Sequence, residues 1–527
     1  MIKYITIFIL VSVLLFFISI RLLPFGYDDA FIHFRIARNF VLYGNPYFNP
    51  SEMVFATSSF VWTVILSFIY IINHNLPVCV SIINSISTIL GSIIWLRLLK
   101  KITANEIPLI MEFIFIISYI GILIPSSVGL METPFAILIL GIAILFLISG
   151  KKIGWAILGI LVFIRLEFIV FIFVFAFSLL NLSKKNIYKS LYCLVLPLIV
   201  LSSIVFYYFH TLIPNTIIAK ETVYKISSMD LVETIIYSLF PNINYLIPYR
   251  INYIFHNYQI LFYLIITILL FTLIGIPWIR YFKDAEKKWG LLILVAGINI
   301  SLGYIFNKTL IFDWYIPLFS IPILFGIFSL SVSRQPLTRI TAIILSLLPI
   351  SILAHYFLAT FININYLPDV LVNERIERYT EVGVLLNKIF PDEQLLTSEI
   401  GALGYSYDGK IIDAAGLVSP AALKYHPMKV PTQRQSSLIG AIPAKFVTET
   451  NPEIIVSYPV FVKEFDKSTI KKNYEKISVS SLPNNLSKKL NSNKIWGSDS
   501  LFIYLRKDIT EPKKDEYLKS KLYNTCY

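Results

Sequence analysis

Pro24-Phe25-Gly26-Tyr27-Asp28-Asp29-Ala30-Phe31-Ile32 follows an apolar run that opens at Met1-Ile2-Lys3 and continues to Leu23. The run is long enough to cross a bilayer, since about 20 apolar residues in a helix span the hydrocarbon core. It has no obvious small-x-small cleavage site, so it reads as an uncleaved signal-anchor rather than a removed signal peptide. The paired carboxylate Asp28-Asp29 then falls at a water–lipid boundary, on the far side of the membrane from the N-terminus. In so apolar a chain the pair points to chemistry on a lipid-borne substrate at the membrane surface.

The rest of the 527 residues agrees with a membrane reading. The composition is 56% hydrophobic and only 15% charged, against about 25% charged in a typical soluble protein. Residues 1–360 hold 23 Lys/Arg against 13 Asp/Glu, whereas residues 361–527 hold 22 against 19. The first part is membrane with basic loops, and the second has a nearly balanced, water-facing surface. The formal charge of +13 therefore follows from a positive-inside bias and not from nucleic-acid binding. Three cysteines, Cys79, Cys193 and Cys526, suggest neither a disulfide framework nor a metal cluster.

Apolar runs near 4–23, 78–99, 107–126, 133–149, 154–165, 167–182, 190–210, 259–279, 289–306, 314–331 and 338–360 give eleven expected spans. The fifth and sixth are short and form a hairpin that turns at Arg165-Leu166-Glu167. Loops assigned to the cytoplasm carry 15 basic residues, counting Lys3, and the longer opposite loops carry eight. That asymmetry sets the N-terminus inside and the C-terminal part outside. Segment 59–73 reads as an interfacial or re-entrant helix, because counting it as a span would invert every later loop.

The first outer loop, residues 24–77, is expected to be structured. Asp28 or Asp29 can cap a helix starting near Ala30. Ala30, Phe34, Ala37 and Val41 would share its apolar face, Arg35 and Arg38 another, and Gly44-Asn45-Pro46 would end it. After residue 361 the texture changes to a helix over 372–390 and short β-like runs at 394–398, 410–413, 453–457 and 501–505. The charged tail 511–527 reads as disordered.

Several constellations could carry chemistry. Asp28-Asp29 is either a helix cap plus a solvated acid or a general base that takes a proton from an incoming hydroxyl. The like charges raise one pKa and the helix start lowers it, so the sequence leaves open which acid is the base. Glu132 lies in a short outer turn. Arg165 and Glu167 sit between very apolar half-length runs, where ions pair or line a wet cavity; Arg165 is a structural partner or a cation for lipid phosphate. Lys220, near His210, Asn215 and Thr216, either snorkels to head groups or neutralises a leaving phosphate. Asp313-Trp314-Tyr315 carries aromatics of an ordinary interfacial belt. No nucleotide-binding Gly-x-x-x-x-Gly-Lys-(Ser/Thr), zinc-binding His-Glu-x-x-His or Cys-x-x-Cys occurs, so a nucleotide-powered or zinc-dependent mechanism has no support. No Asp-x-Asp nucleotide-sugar signature stands in a soluble cytoplasmic domain, which favours a lipid-linked donor over a nucleotide sugar.

Tyr27-Asp28-Asp29-Ala30-Phe31-Ile32-His33-Phe34-Arg35-Ile36-Ala37-Arg38-Asn39, Phe48-Asn49-Pro50 and Thr57-Ser58-Ser59-Phe60-Val61-Trp62-Thr63 resemble bacterial GT-C membrane glycosyltransferases. Within that class the motifs are similar to those of polyprenyl-phosphate-sugar-dependent enzymes that include the mycobacterial terminal arabinofuranosyltransferases. Gly129-Leu130-Met131-Glu132-Thr133-Pro134, Arg165-Leu166-Glu167, Pro214-Asn215-Thr216 with Ala219-Lys220, residues 399–405 and residues 412–420 extend the resemblance in order along the chain. Ser59-Phe60 departs from the family's Ser-Pro.

The resemblance implies a polytopic α-helical membrane protein of GT-C type, with about eleven transmembrane helices and a C-terminal extracytoplasmic α/β or α+β domain. Residues 1–360 would be the transmembrane catalytic domain, 361–510 the soluble domain and 511–527 the tail. It implies an inverting transfer of a sugar from a polyprenyl-phosphate donor to a glycan, glycolipid or protein acceptor, in a bacterial cytoplasmic (inner) membrane. Asp28 or Asp29 would be the base, with Lys220 and Arg165 at the donor phosphate. Glu132, Glu167, His33 and Asn215 would contact sugar or acceptor. Membrane lipids are the other expected partners, and nucleic acid is not one. No cofactor is expected, and two carboxylates are too few to claim a divalent metal, which stays open. A transporter or flippase of lipid-linked sugars is the main alternative; it accounts for Arg165 and Glu167 but not for the long first loop.

Overall fold

The computed structural model describes residues 26–104, 107–181, 183–223, 287–307, 311–331, 343, 346, 350, 368–426, 428, 441–463, 465, 470–479 and 501–509. The expected spans at 4–23 and 259–279, nearly all of 338–360, and the tail 511–527 lie outside these residues.

The chain is mostly helical, with a small C-terminal sheet domain. Its helices begin with α1 (Asp28–Tyr43), α2 (Phe60–Ile72), α3 (Leu76–Ile102), α4 (Leu109–Val128) and α5 (Thr133–Ile148). There follow α6 (Ile153–Leu161), α7 (Ile169–Ala176), α8 (Lys184–Phe209), α9 (Asn215–Val223), α10 (Lys287–Asn307) and α11 (Ile316–Ser331). Of these, α3, α4, α8 and α10 are long and apolar enough to cross a membrane. The remaining apolar helices are shorter, so of the eight expected spans that fall on described residues, four are helices of membrane length.

Local chemistry sets these boundaries. Asn75 accepts a hydrogen bond from the Val78 amide, Pro77 fills the first turn of α3, and Lys100 and Lys101 close its last turn against the helix dipole. Lys100 then reaches Glu112 in the first turn of α4 at 2.8 Å. Trp95 is fully buried at the crossing of α3 and α5 and donates its indole N–H to the Ile137 carbonyl at 3.1 Å. Between α6 and α7 the chain turns at Arg165, in extended backbone, followed by a short 3-10 segment over Leu166–Phe168. The hairpin thus turns where the charged triplet interrupts the apolar sequence.

In the first loop two expectations are corrected. Neither Asp28 nor Asp29 caps α1; Tyr27 occupies that position without a side-chain capping bond to the helix, and both acids lie in the first turn. The Asp28 carboxylate turns instead to amides of the C-terminal domain. Nor does α1 bury a single stripe. Phe31, Ile32, Arg35 and Ile36 are buried along with Ala30, Phe34 and Ala37, whereas Val41 is exposed. The reason is that α1 is packed between α2 and the sheet domain. Gly44 ends it in the left-handed region, at φ 76°, where glycine meets no steric penalty.

The C-terminal domain contains α12 (Pro368–Ile389), α13 (Gly401–Ser406) and α14 (Ala444–Thr450) around a five-stranded sheet. Its strands are β1 (Leu395–Thr397), β2 (Ile411–Asp413), β3 (Ile454–Ser457), β4 (Tyr474–Val479) and β5 (Leu501–Arg506), in the order β2-β1-β3-β5-β4. β1 pairs in parallel with β2 and β3, with Thr397 opposite Asp413, and β5 runs antiparallel to both β3 and β4. The first three strands are buried at every residue, as expected for parallel strands covered on both faces.

The first loop joins this domain through buried polar contacts. Arg35 bonds to the carbonyls of Phe48, Gly404, Tyr407 and Gly409 and to the Asn49 side chain, with Phe48 beneath its guanidinium. A buried guanidinium is tolerable only when its fork of donors is satisfied this completely. Arg38 meets Asp408 at 3.1 Å. Asn49 donates to the Ile411 carbonyl at 2.8 Å and accepts from the Ile411 amide at 3.1 Å, pairing with the outer side of β2 as a strand would.

Candidate functional site

Four chain segments converge beside the sheet domain: the start of α1, the start of α5, the α6–α7 turn, and α9. The first contributes Asp28, Asp29 and His33. The two acids are separated by their partners. Asp28 accepts the Gly401 amide at 2.8 Å on Oδ2 and the Ala402 amide at 2.9 Å on Oδ1. Both oxygens therefore cap the first turn of α13, which lies against the backbone of Asp28 so closely that a Cβ at Gly401 would overlap the Asp28 carbonyl. Burial and the nearby Glu399 raise the Asp28 pKa, against the pull of Arg375 and the two amides.

Asp29 points elsewhere. Its side chain is 28% exposed and its Oδ2 lies 3.9 Å from Lys220 Nζ. Burial raises its pKa, Lys220 draws it down, and Asp28 pushes it up again. A raised value brings a carboxylate closer to the range in which a base works near neutral pH. His33, one turn along the same helix, is buried with Nδ1 3.1 Å from the Thr57 hydroxyl. Burial lowers its pKa in spite of Glu132 and Asp29, so it is a neutral imidazole near pH 7.

Glu132 is delivered by the turn before α5. Leu130, fully buried, sits in the left-handed region at φ 61°, a conformation that costs a non-glycine residue about 1–3 kcal/mol and recurs at functional turns. Glu132 is completely buried; its Oε1 takes Arg165 Nη1 at 2.8 Å and the Ser59 hydroxyl at 3.1 Å. Its Oε2 has no hydrogen-bond partner among the described residues. Arg165 reaches Glu167 with Nε at 3.1 Å and Nη2 at 2.5 Å. The guanidinium is thereby matched by two carboxylates and acts as a strut between α5 and the α6–α7 turn.

Lys220 completes the group from α9. Its ammonium donates to the Tyr315 hydroxyl and lies 5.4 Å from the centre of the Phe312 ring. Burial works against its charge, but Tyr315 and Asp29 outweigh it and the pKa is raised. Asn215, at the start of the same helix, is not beside Lys220. Its amide donates to the Gly416 and Leu417 carbonyls of the sheet domain, at 2.7 Å each.

Two residues that carry no distinctive sequence signal belong to the group. Tyr315, read as an interfacial aromatic, holds Lys220 and lies beneath Arg165, 4.4 Å from ring centre to guanidinium carbon. Tyr304, inside an apolar helix, donates to Glu167 at 2.5 Å. Asp313 accepts from the Tyr27 hydroxyl at 3.2 Å, beside the pair. Among the described residues no group of three or more His, Cys, Asp or Glu is arranged to hold a metal ion.

The arrangement is a partly exposed carboxylate facing an ammonium, backed by a largely buried Arg–Glu–Glu cluster. It can take a proton on one side and stabilise a developing anion on the other. Residues 369–504, from α12 through most of β5, match a family described as a domain of unknown function, DUF8728. No curated protein matches the chain.

Proposed function

We propose that the protein is a polytopic GT-C type membrane glycosyltransferase, with Asp29 as its general base. The observation that carries this reading is the 3.9 Å approach of Asp29 to Lys220, with the Asp29 side chain partly open to solvent. The sequence left Asp28 and Asp29 equivalent; Asp28 has both oxygens on backbone amides, which leaves Asp29 for the reaction.

Membrane residence is supported by the four long apolar helices and by the outward face of α8, where Tyr192, Ile199, Phe206 and Tyr207 are exposed. The basic loops assigned to the cytoplasm orient the N-terminus inward and the sheet domain to the extracytoplasmic side. The protein is then a multi-pass component of a bacterial cytoplasmic membrane, acting on cell-envelope glycans.

In the transfer, the acceptor hydroxyl attacks the anomeric carbon of a polyprenyl-phosphate sugar. The new carbon–oxygen bond forms as the bond to phosphate oxygen breaks, with inversion. Asp29 takes the hydroxyl proton, and Lys220 stabilises the charge gained by the departing polyprenyl phosphate. Arg165, saturated by Glu132 and Glu167, supports the site from behind and leaves the phosphate to Lys220. Glu167, the more open of the two glutamates, meets the sugar hydroxyls, while the buried Glu132 and His33 support the site from within. The test is transfer from synthetic farnesyl-phosphoryl pentoses and hexoses by purified protein. Asp29→Asn is expected to lose about 10²–10⁴-fold in rate while remaining folded, and native-rate transfer by that variant would refute the assignment.

A further inference from the structure

We propose that Asp28 is a positioning residue: through it and Asn215, the C-terminal sheet domain sets the approach of Asp29 to Lys220. This rests on the glycosyltransferase reading above.

The two halves of the reacting pair come from separate segments, α1 and α9, and each is tied to the sheet domain within a few residues of the pair. On α1, Asp28 precedes Asp29 and receives the amides of Gly401 and Ala402. On α9, Asn215 opens the helix that carries Lys220 and donates both amide hydrogens to Gly416 and Leu417.

The two ties leave the sheet at the same place. Gly401 follows the end of β1, and Gly416 follows the end of β2. These strands are adjacent and parallel, with their last residues, Thr397 and Asp413, in register. The Ala414 amide donates to the Thr397 carbonyl at 2.8 Å, locking the two exits together. The loop after β2 is itself held rigid: Asp413, fully buried, accepts the Ala415 amide at 2.8 Å and the Val418 amide at 3.0 Å. Gly416 turns it at φ 83°.

Two adjacent strand ends therefore hold the two helices from one side, like two pins set in a single plate. A displacement of about 1 Å in a reacting group can cost on the order of 10²-fold in rate. The sheet domain then acts on turnover without contributing a group to the reaction.

The experiment compares purified full-length Asp28→Ser, Asp28→Ala, Asn215→Leu and Asp29→Asn with the native protein, using whichever farnesyl-phosphoryl sugar the native protein transfers. Monodispersity on size exclusion in detergent checks folding. Serine keeps an oxygen able to cap α13, so Asp28→Ser is expected within about tenfold of native kcat. Asp28→Ala and Asn215→Leu are expected to lose about 10–100-fold in kcat, with donor KM unchanged and the acidic limb of the pH–rate profile retained, displaced to lower pH in Asp28→Ala because the Asp28 charge raises Asp29.

An Asp28→Ser protein that is as inactive as Asp29→Asn, or that lacks the acidic limb, would overturn the proposal and make Asp28 the base. A folded Asp28→Ala with native kcat would overturn it too. Native-rate transfer by Asp29→Asn would instead overturn the assignment of Asp29 as the base, and this proposal with it, whereas no transfer by the native protein from any of these donors would overturn the glycosyltransferase reading.

Discussion

Tyr304 and Tyr315 stack with ring centres 5.6 Å apart and planes 9° from parallel, one hydroxyl on Glu167 and the other under Lys220. The pair joins the acidic end of the buried cluster to the ammonium that faces Asp29. Because Arg165 also rests on the Tyr315 ring, one side chain fixes both cations.

Tyr315→Phe keeps the ring and removes the oxygen that Lys220 donates to. A single hydrogen bond to a charged group contributes about 1.5–3 kcal/mol, so the rate of transfer is expected to fall roughly 10–100-fold with little change in melting temperature. Tyr304→Phe, further from Lys220, is expected to fall less. Steady-state transfer assays on the two variants give the comparison.

With Asp29 proposed as the base, a pH dependence follows. A base must be deprotonated, and burial raises this carboxylate above its ordinary value while Lys220 lowers it. The rate is therefore expected to rise with pH through an inflection above the usual carboxylate range. Lys220→Met removes the lowering influence, so the inflection moves to still higher pH and the rate at neutral pH drops. A shift in the acidic direction would contradict the assigned pairing.

Arg165→Met leaves Glu132 and Glu167 buried against no cation. Breaking a buried pair from one side costs about 3–5 kcal/mol, and the melting temperature in detergent should fall accordingly. The triple variant Arg165→Met, Glu132→Gln, Glu167→Gln is expected to recover much of that loss. If the triple variant melts no higher than the single one, uncompensated charge is not the cause.

Gly401→Ala inserts a methyl into the Asp28 backbone. The first turn of α13 must then move away from α1. Limited proteolysis should release the sheet domain faster than from the native protein, and transfer should fall with it; unchanged digestion would show that the contact gives way without effect.

Asp413 supplies a stability prediction of opposite sign to an ordinary carboxylate. Burial pushes it up to about 6, in spite of the amides it accepts. Its folded form binds the proton more tightly than the unfolded form does, so its contribution is fully present below the unfolded value. That contribution is lost as pH rises toward 6. Melting curves between pH 4 and 7 should show a downward slope that flattens in Asp413→Asn.

Much of the sheet domain was readable from the chain. β1, β2 and β3 fall inside the predicted runs, and β5 overruns its run by one residue, because each is a short apolar stretch flanked by turn residues. β4 was not, since Glu475 and Lys476 interrupt Tyr474–Val479 and its pairing is visible only opposite β5. Asp29, Glu132, Arg165, Glu167 and Lys220 stood out because charge in apolar surroundings is costly and therefore conspicuous. Tyr304 and Tyr315 did not, because a tyrosine among so many aromatics carries no such mark. The different surroundings of Asp28 and Asp29 were equally hidden: they are decided by Gly401 and Ala402, far along the chain. Helix caps can be read from neighbours, but a cap supplied from another domain cannot.

Asn49 carries a consequence for how the sheet domain can exist. With its amide bonded to both polar groups of Ile411, it shields the outer rim of β2, which is otherwise a raw strand edge. A fragment cut to residues 369–504 would bare that rim, and bare rims recruit strands from neighbouring molecules. The excised piece should be sticky in solution, scattering light at concentrations where the whole protein stays dispersed, and adding back a peptide spanning residues 46–54 should suppress the clumping.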